Sequence, residues 1–176
     1  MSYVNAGIRG NNSAYFPDGR YDYIKSISTT APTDAITMSC WVKGGAAGHS
    51  HYHIPISFNS SAYEMSIEGS GLLRGGFVIN KNRTCATQTH TPILDNKWHM
   101  LTITYDGNLI KYYVDGNEIP NSSIAVTGAL SGGSGHWLIG NYNGTTYGNK
   151  LLYMSDVRIY ATALSANDIQ TLYRSV

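Results

Sequence analysis

The chain has 176 residues, a formal net charge of +1, and only 13% charged residues, about half the usual share of ~25%. Nucleic-acid binding through many phosphate contacts needs clustered Lys and Arg, which this chain lacks. No run of 18 apolar residues exists to span a membrane. Low net charge with 14 Tyr and 42% hydrophobic residues argues against disorder. The length suits one domain over residues 1–176, with a core that needs no disulfide staples. The opening MSYVNAGIRGNNSAYF shows no basic start, apolar stretch and cleavage site, so no secretory signal is read. Cys40 and Cys85 lack a C-x-x-C spacing and are expected as buried free thiols.

Short alternating runs follow one another, broken by Gly, Asn, Asp and Ser. Strands are expected at Ser13–Phe16, Tyr21–Lys25, Ala35–Lys43, His53–Asn59, Tyr63–Glu68 and Leu72–Asn80, then at His99–Tyr105, Leu109–Val114, His136–Ile139 and Leu151–Tyr160. Strands at this spacing imply an all-β sandwich or barrel. Leu101, Ile103 and Tyr105 alternate with Met100, Thr102 and Thr104, the mark of a strand with two unlike faces. Asp106-Gly107-Asn108 and Asp115-Gly116 read as turns rather than metal ligands. Gly44–Ser50 and Ser131–Gly135 read as loops of small residues. At the carboxyl end, Ser165 as N-cap and Asp168 three residues on open one short helix, about 166–173, with Ile169, Leu172, Tyr173 and Val176 at helical spacing.

Four segments together resemble a known family. They are Phe16–Ile24 (FPDGRYDYI), Ile36–Lys43 (ITMSCWVK), Lys97–Gly107 (KWHMLTITYDG) with Tyr112–Gly116 (YYVDG), and Ser155–Tyr160 (SDVRIY) with Ala163–Ser165. In this order they are similar to the laminin-G-like jelly rolls of the concanavalin A-like lectin/glucanase superfamily. The resemblance implies a two-sheet antiparallel jelly-roll sandwich with one short carboxyl-terminal helix. That superfamily holds lectins, glycosidases, adhesion modules and phage structural domains, so function must be read from the site. Its binding modules often carry a structural calcium ion tying the first strand pair to the last strand. The positions that match here are Asp18, Asp22 and Asp156, oxygen donors of the kind calcium takes. Ser155 stands where an acid often precedes, and the plainer reading takes Asp18 as a turn residue and Asp156 as an ion-pair partner of Arg158 or Arg20.

Glycoside hydrolysis needs two carboxylates about 5–10 Å apart. Superfamily glycosidases carry Glu-x-Asp-x-x-Glu; the nearest string here is Glu64-Met-Ser-Ile-Glu68. Its acids share a strand face but stand roughly 13 Å apart along the strand. They read as carboxylates on a solvated face, and the chain is expected not to be an enzyme. His49, His51 and His53 would share one face of an extended segment, too far apart for one chain to close around a metal. The plainer reading is a polar loop before a strand. His99 reads as structural.

Sugar binding uses aromatic faces flanked by amides. Tyr52, Tyr142 and Tyr147, with Asn141, Asn143 and Asn149, supply both in loops. Tyr23, Tyr105, Tyr112 and Tyr160 fall in strands and are expected in the core. The reading is a non-catalytic carbohydrate-binding module for glycan on a host or partner surface. Its low charge and polar composition are compatible with a virion or extracellular location, and the resemblance implies a phage tail, fibre or capsid, where modules of this superfamily occur. The competing reading is a structural or decoration module that works through protein–protein contacts, as a homo-oligomer or with virion proteins.

Overall fold

A computed structural model of the protein describes residues 2–4, 13–16, 22–45, 52–59, 62–141 and 152–175. The strands in chain order are β1 (Ser2–Val4), β2 (Ser13–Phe16), β3 (Ile24–Lys25), β4 (Thr29–Thr30), β5 (Ile36–Gly45) and β6 (His53–Phe58). β7 (Tyr63–Ile67), β8 (Leu73–Ile79), β9 (Asn82–Thr87), β10 (Asp95–Tyr105) and β11 (Leu109–Val114) follow. The last are β12 (Asn117–Glu118), β13 (Ile124–Ala125), β14 (Ser134–Gly135), β15 (Trp137–Ile139) and β16 (Leu152–Tyr160), and one helix, α1, spans Ala166–Arg174. Among the described residues the strands form an eight-stranded sheet, β1-β2-β16-β5-β10-β11-β12 with β13 on β11, and a six-stranded sheet, β3-β15-β6-β7-β8-β9. A short β14-β4 pair lies apart from both. All pairings are antiparallel. This is the two-sheet sandwich that the strand spacing and the resemblance implied.

The expected strands at Ser13–Phe16 and Leu109–Val114 are found without change. Of the expected strand Tyr21–Lys25, the described part is strand only at Ile24–Lys25, and Tyr23 is left 39% exposed rather than in the core. Tyr105 and Tyr112 are fully buried as expected, while Tyr160 is only partly so. β10 begins four residues earlier than its alternation suggested. A register shift between Asp95 and Trp98, with Asn96 at a φ of 65°, hides the regular pattern there. The segment read as a loop at Ser131–Gly135 contains β14. Cys40 is buried, but Cys85 on β9 is only partly so, which corrects the expectation for that thiol.

The main core lies between the sheets. Ile36, Met38, Cys40 and Val42 of β5 and Leu101, Ile103 and Tyr105 of β10 meet Ile56, Phe58, Tyr63, Met65 and Phe77 of the other sheet. Burial of such side chains stabilises by roughly 25 cal/mol per Å² of apolar surface. The opposite face of β5 and β10 is covered too. Trp41, Met100 and Tyr113 pack under Ile169 and Leu172 of α1, and the Trp41 and Tyr173 rings stack with centroids 5.3 Å apart. Other positions on that face are small and hydroxylated, and they find partners. Ser39 Oγ and Thr102 Oγ1 lie 3.0 Å apart, and Thr37 Oγ1 donates to the Thr162 carbonyl while accepting from the Leu164 N–H. Ser165 and Asp168 close the expected capping box: the Asp168 N–H donates to Ser165 Oγ and the Ser165 N–H to the Asp168 carboxylate.

β16 must keep its apolar side inward along nine residues, yet its inward residues change parity. Leu152 and Met154 face the core at one end and Val157 and Ile159 at the other. The switch is a bulge. Ser155 pairs with Trp41 and Arg158 with Ser39, so β16 carries one residue more than β5. Asp156 occupies it at a φ of 49°, a left-handed conformation that Asp tolerates better than β-branched residues do. Asp156→Gly should therefore leave thermal stability within about 1 kcal/mol of the parent. Asp156→Val should cost about 2 kcal/mol or more, because it adds backbone strain to the loss of the Arg158 ion pair that both variants share. Urea unfolding of the two variants checks this, and equal costs would refute the bulge assignment.

His99 ties three segments together. Its Nδ1 donates to Asp115 Oδ2 at 2.8 Å and its Nε2 lies 3.0 Å from Asp95 Oδ1. The Met100 N–H donates to Asp115 Oδ1 at 2.9 Å. The bond to Asp115 raises the His99 pKa above its ordinary value of 6.5, with a further contribution from Asp95 and against the opposing effect of burial. Nearby, His90 Nε2 accepts from the Leu73 N–H at 2.6 Å and Nδ1 meets the Thr91 carbonyl at 2.6 Å. Burial lowers the His90 pKa. The two histidines therefore pull stability in opposite directions with pH. What protonated His99 contributes is fully present below pH 6.5 and is lost as pH rises through its raised folded value. What neutral His90 contributes is present above pH 6.5 and is lost as pH falls through its lowered value. Thermal melts from pH 5 to 9 should show the deficit of His99→Gln shrinking as pH rises and that of His90→Gln shrinking as pH falls. Parallel curves would show that neither ring titrates in the expected sense.

Candidate functional site

The outward face of the six-stranded sheet is the most polar constellation in the described structure. Tyr63, Met65 and Ile67 of β7 point into the core, so Glu64 and Ser66 point outward. Cross-strand register then builds the face. One row runs Leu138, Ser57, Glu64, Gly76, Cys85, and a neighbouring row runs Ser66, Arg74, Thr87. Arg83, opposite Val78, stands on the other side of the Glu64 row. Arg74 and Arg83 therefore flank Glu64 and reach it diagonally from either side. Between them, β8 carries Gly75-Gly76. A Cβ at Gly76 would lie 2.0 Å from the Thr84 carbonyl oxygen, so β8 and β9 approach more closely there than any side chain allows.

Glu64 is the floor of this cluster. Its Oε1 accepts from Ser66 Oγ and Arg74 Nη1, both at 2.8 Å, and its Oε2 accepts from Arg83 Nη2 at 2.6 Å. Only 5% of its side chain is exposed, against 24% for Arg74 and 37% for Arg83. The expectation of a solvated Glu64 is thus corrected: an unpaired carboxylate would be costly at this depth, and two guanidiniums compensate it. Glu68 lies just beyond the end of β7, partly buried, accepting from Thr87 Oγ1 and, at 3.5 Å, from Ser70 Oγ. Cys85 Sγ lies 3.9 Å from Arg83 Nη2, but burial pushes its thiol pKa up and keeps it protonated. The cluster therefore holds no activated nucleophile at Cys85, and Glu64 has no oxygen left without a donor.

Tyr52 and Asn141 both reach this region. The Arg74 guanidinium sits 5.1 Å from the centroid of the Tyr52 ring, and Tyr52 remains 38% exposed. Ser57 Oγ donates to the Asn141 carbonyl at 2.8 Å, which roots Asn141 beside the Glu64 row. Asn141 itself is fully buried. Its place is under the surface rather than among groups open to an incoming sugar. Tyr142, Asn143, Tyr147 and Asn149 lie outside the described residues. His53 opens β6, at the start of the expected strand His53–Asn59, and is buried, and His49 and His51 lie outside the described residues. Arg74 and Arg83 were not singled out from the sequence. Alternation places Glu64 and Ser66 on one face, but the register that brings both arginines to Glu64 is set by turns that linear spacing does not reveal.

Of the positions matched to calcium, Asp156 is the bulge residue of β16, and its Oδ1 accepts from Arg158 Nε at 2.7 Å. Asp22 is partly buried and engaged in an interaction of its own. Asp18 lies outside the described residues. No three Asp, Glu, His or Cys side chains gather to hold an ion among the described residues.

A second concavity, a groove of about 600 Å³, runs between the 89–97 segment and the turns at 114–120. The Asp95–His99–Asp115 linkage lines it beside Ile93, Val114 and Ile119. Its acids are satisfied internally: Asp95 by His99 and Lys97, Asp115 by His99 and the Met100 N–H, Glu118 by Lys111. We assign it to the linkage that holds the sheet end.

Comparison with known proteins accords with this architecture. The binding domain of Paraclostridial Mosquitocidal Protein 1 superposes with a TM-score of 0.72 at 14% identity, over 99% of this chain and 45% of that one. A heptameric SAP-like pentraxin from Limulus polyphemus gives 0.66 at 16% identity, over 90% and 80%. The ligand-binding domain of botulinum neurotoxin serotype D, solved with N-acetylneuraminic acid, gives 0.70 at 18% identity, over 98% and 44%. The chain thus spans less than half the length of those toxin domains. At such identities the likeness speaks for fold alone. No curated protein matches the sequence. The family model Laminin_G_3, described as concanavalin A-like lectin/glucanases superfamily, matches residues 18–170. With most of its length inside that match and its two sheets in the corresponding sandwich, the chain belongs to the laminin-G-like family of the concanavalin A-like lectin/glucanase superfamily.

Proposed function

We propose that the chain is a non-catalytic carbohydrate-recognition module that binds glycan through the outward face of its six-stranded sheet. The observation that carries this reading is the exposed Tyr52 ring, held by Arg74 beside a buried Glu64 that two arginines occupy. An aromatic face next to fixed polar groups is what a sugar ring with its hydroxyls requires. Glu64 is the acid best placed for glycosidase chemistry, and both of its oxygens are already engaged. Three donors on a carboxylate held between two guanidiniums favour its ionised form and make it a poor proton donor to a leaving group. The low charge and polar composition support a place on an extracellular or virion surface.

A glycan array on the purified chain should show binding, and Tyr52→Ala should weaken the leading ligand about tenfold, the loss of one aromatic contact of ~1.4 kcal/mol. The melting temperature should stay within a few degrees, since the ring is partly exposed. Undiminished affinity in Tyr52→Ala would remove the ligand from this face. Incubation with the bound glycan should release no reducing ends, and product formation that vanished in Glu64→Gln would overturn the non-catalytic reading.

One observation favours a second reading, a structural module working through protein contacts. Ile27 is 87% exposed beside Tyr23, on the edge of the six-stranded sheet. If that edge is the working surface, the chain should associate at micromolar concentration and Ile27→Asp should make it monomeric in sedimentation. A monomer before and after the change would dispose of this alternative.

A further inference from the structure

We infer that Arg74 is the anchor for a carboxylate, so that the module selects acidic sugars over neutral ones. The inference rests on the carbohydrate-recognition reading and adds a ligand class to it. Arg74 places a single nitrogen, Nη1, on Glu64, at 2.8 Å. A guanidinium carries five N–H donors and no acceptor, and a one-nitrogen contact leaves the others unspent. Its Cζ lies over the Tyr52 ring, 5.1 Å from the centroid, a cation–π contact that holds the guanidinium without consuming a donor. Depth orders the charges. The carboxylate of Glu64 lies at the floor with 5% exposure, and the two guanidiniums lie above it. An arriving ligand therefore meets donors first and finds the acceptor beneath them occupied.

The surrounding acids do not cancel this arrangement. Glu68 is the other carboxylate on this side of β7, and it is turned to Thr87 and Ser70. It forms no ion pair with Arg74 among the described residues. Arg83 is committed to Glu64 and lies beside Cys85, so it stands as the second support of the floor rather than as the anchor. A sugar carboxylate could then take the outward N–H groups of Arg74 in a charge-assisted contact, the strong and geometrically specific kind. The ring bearing it would lie toward Tyr52. A neutral sugar would keep the Tyr52 contact and lose the anchor.

Two kinds of sugar present such a carboxylate, sialic acids and uronic acids, and titration calorimetry can separate them. The probes are 3′-sialyllactose against lactose, and tetragalacturonate against galactotetraose, each at low and at 0.5 M salt. One or both acids should bind at least tenfold tighter than the neutral partner, and the acid that does so names the source. The preference should fall at high salt, because part of it is charge attraction. Arg74→Gln should bring the acid down to the affinity of its neutral counterpart, while Tyr52→Ala should weaken acid and neutral sugar alike. Removing Arg74 alone leaves Glu64 half-compensated and could unfold the chain. The double variant Arg74→Gln, Glu64→Gln removes both charges, and its thermal melt reports whether it folds; it too should show no acid preference. Equal binding of acidic and neutral sugars by the parent would overturn the inference and leave the carbohydrate reading intact. Acid preference that survives in both variants would overturn the assignment to Arg74. No binding of any probe or of any arrayed glycan by the folded parent would overturn both.

Discussion

The requirement that β5 and β10 be buried on both faces governs much of this molecule. A sheet in a sandwich normally hides one face and leaves the other to water. Here the second face of the central strands is covered by α1 and the segment leading into it, and the sequence of β5 shows the cost of that. Ile36, Met38, Cys40 and Val42 fill one side, while Thr37, Ser39 and Trp41 fill the other. Hydroxyls on the second side tolerate burial only because each meets a partner: Ser39 with Thr102, and Thr37 with Thr162 and Leu164. The helix is short, and its position comes from Trp41, Met100 and Tyr113 rather than from its own propensity.

The six-stranded sheet solves the opposite problem. Its inner face is mainly apolar, yet its outer face carries a buried acid. Glu64 is stable there because two arginines from neighbouring strands converge on it, and they converge because Gly75-Gly76 lets β8 lie close to β7 and β9. Taking either arginine away would leave a buried charge with partial compensation, the situation in which such networks are most fragile. The same arrangement brings a guanidinium to the surface against an aromatic ring. Structural support and the recognition surface thus share one set of side chains.

The sequence made the strands legible where alternation was strict, as in Leu101–Tyr105, and where turns were punctuated by Asp-Gly. It failed where one period-2 rule was broken by an inserted residue. Asn96 and Asp156 each take positive φ at a register shift, and nothing in linear spacing marks an Asn or Asp as a bulge rather than a ligand. That is why the bulge at Asp156 went unread, although its pairing with Arg158 was legible from their spacing. β9 was missed because Asn82–Thr87 is a polar edge strand with little apolar contrast between its faces. The candidate site was legible at Tyr52 but not at Glu64, which read as solvated, nor at Arg74 and Arg83, because diagonal contacts depend on three-strand register. Asn141 looked like a surface amide from its loop context, and burial under Ser57 could not be inferred from its neighbours in the chain.

The position of β16 has a consequence for how the chain is assembled at the ribosome. β16 lies between β2 and β5, so residues 152–160 insert between strands made more than a hundred residues earlier. Until they emerge, β2 has no partner linking it to the rest of the large sheet, and the edge of β5 that β16 will occupy stays open. Loop-closure entropy must be met before these contacts form, which slows the final step. An open strand edge of this kind is where a nascent chain pairs with a neighbour. A ribosome stalled before residue 152 would therefore display a half-sheet with an adhesive seam at β5, and chaperone binding to such stalled chains should concentrate there.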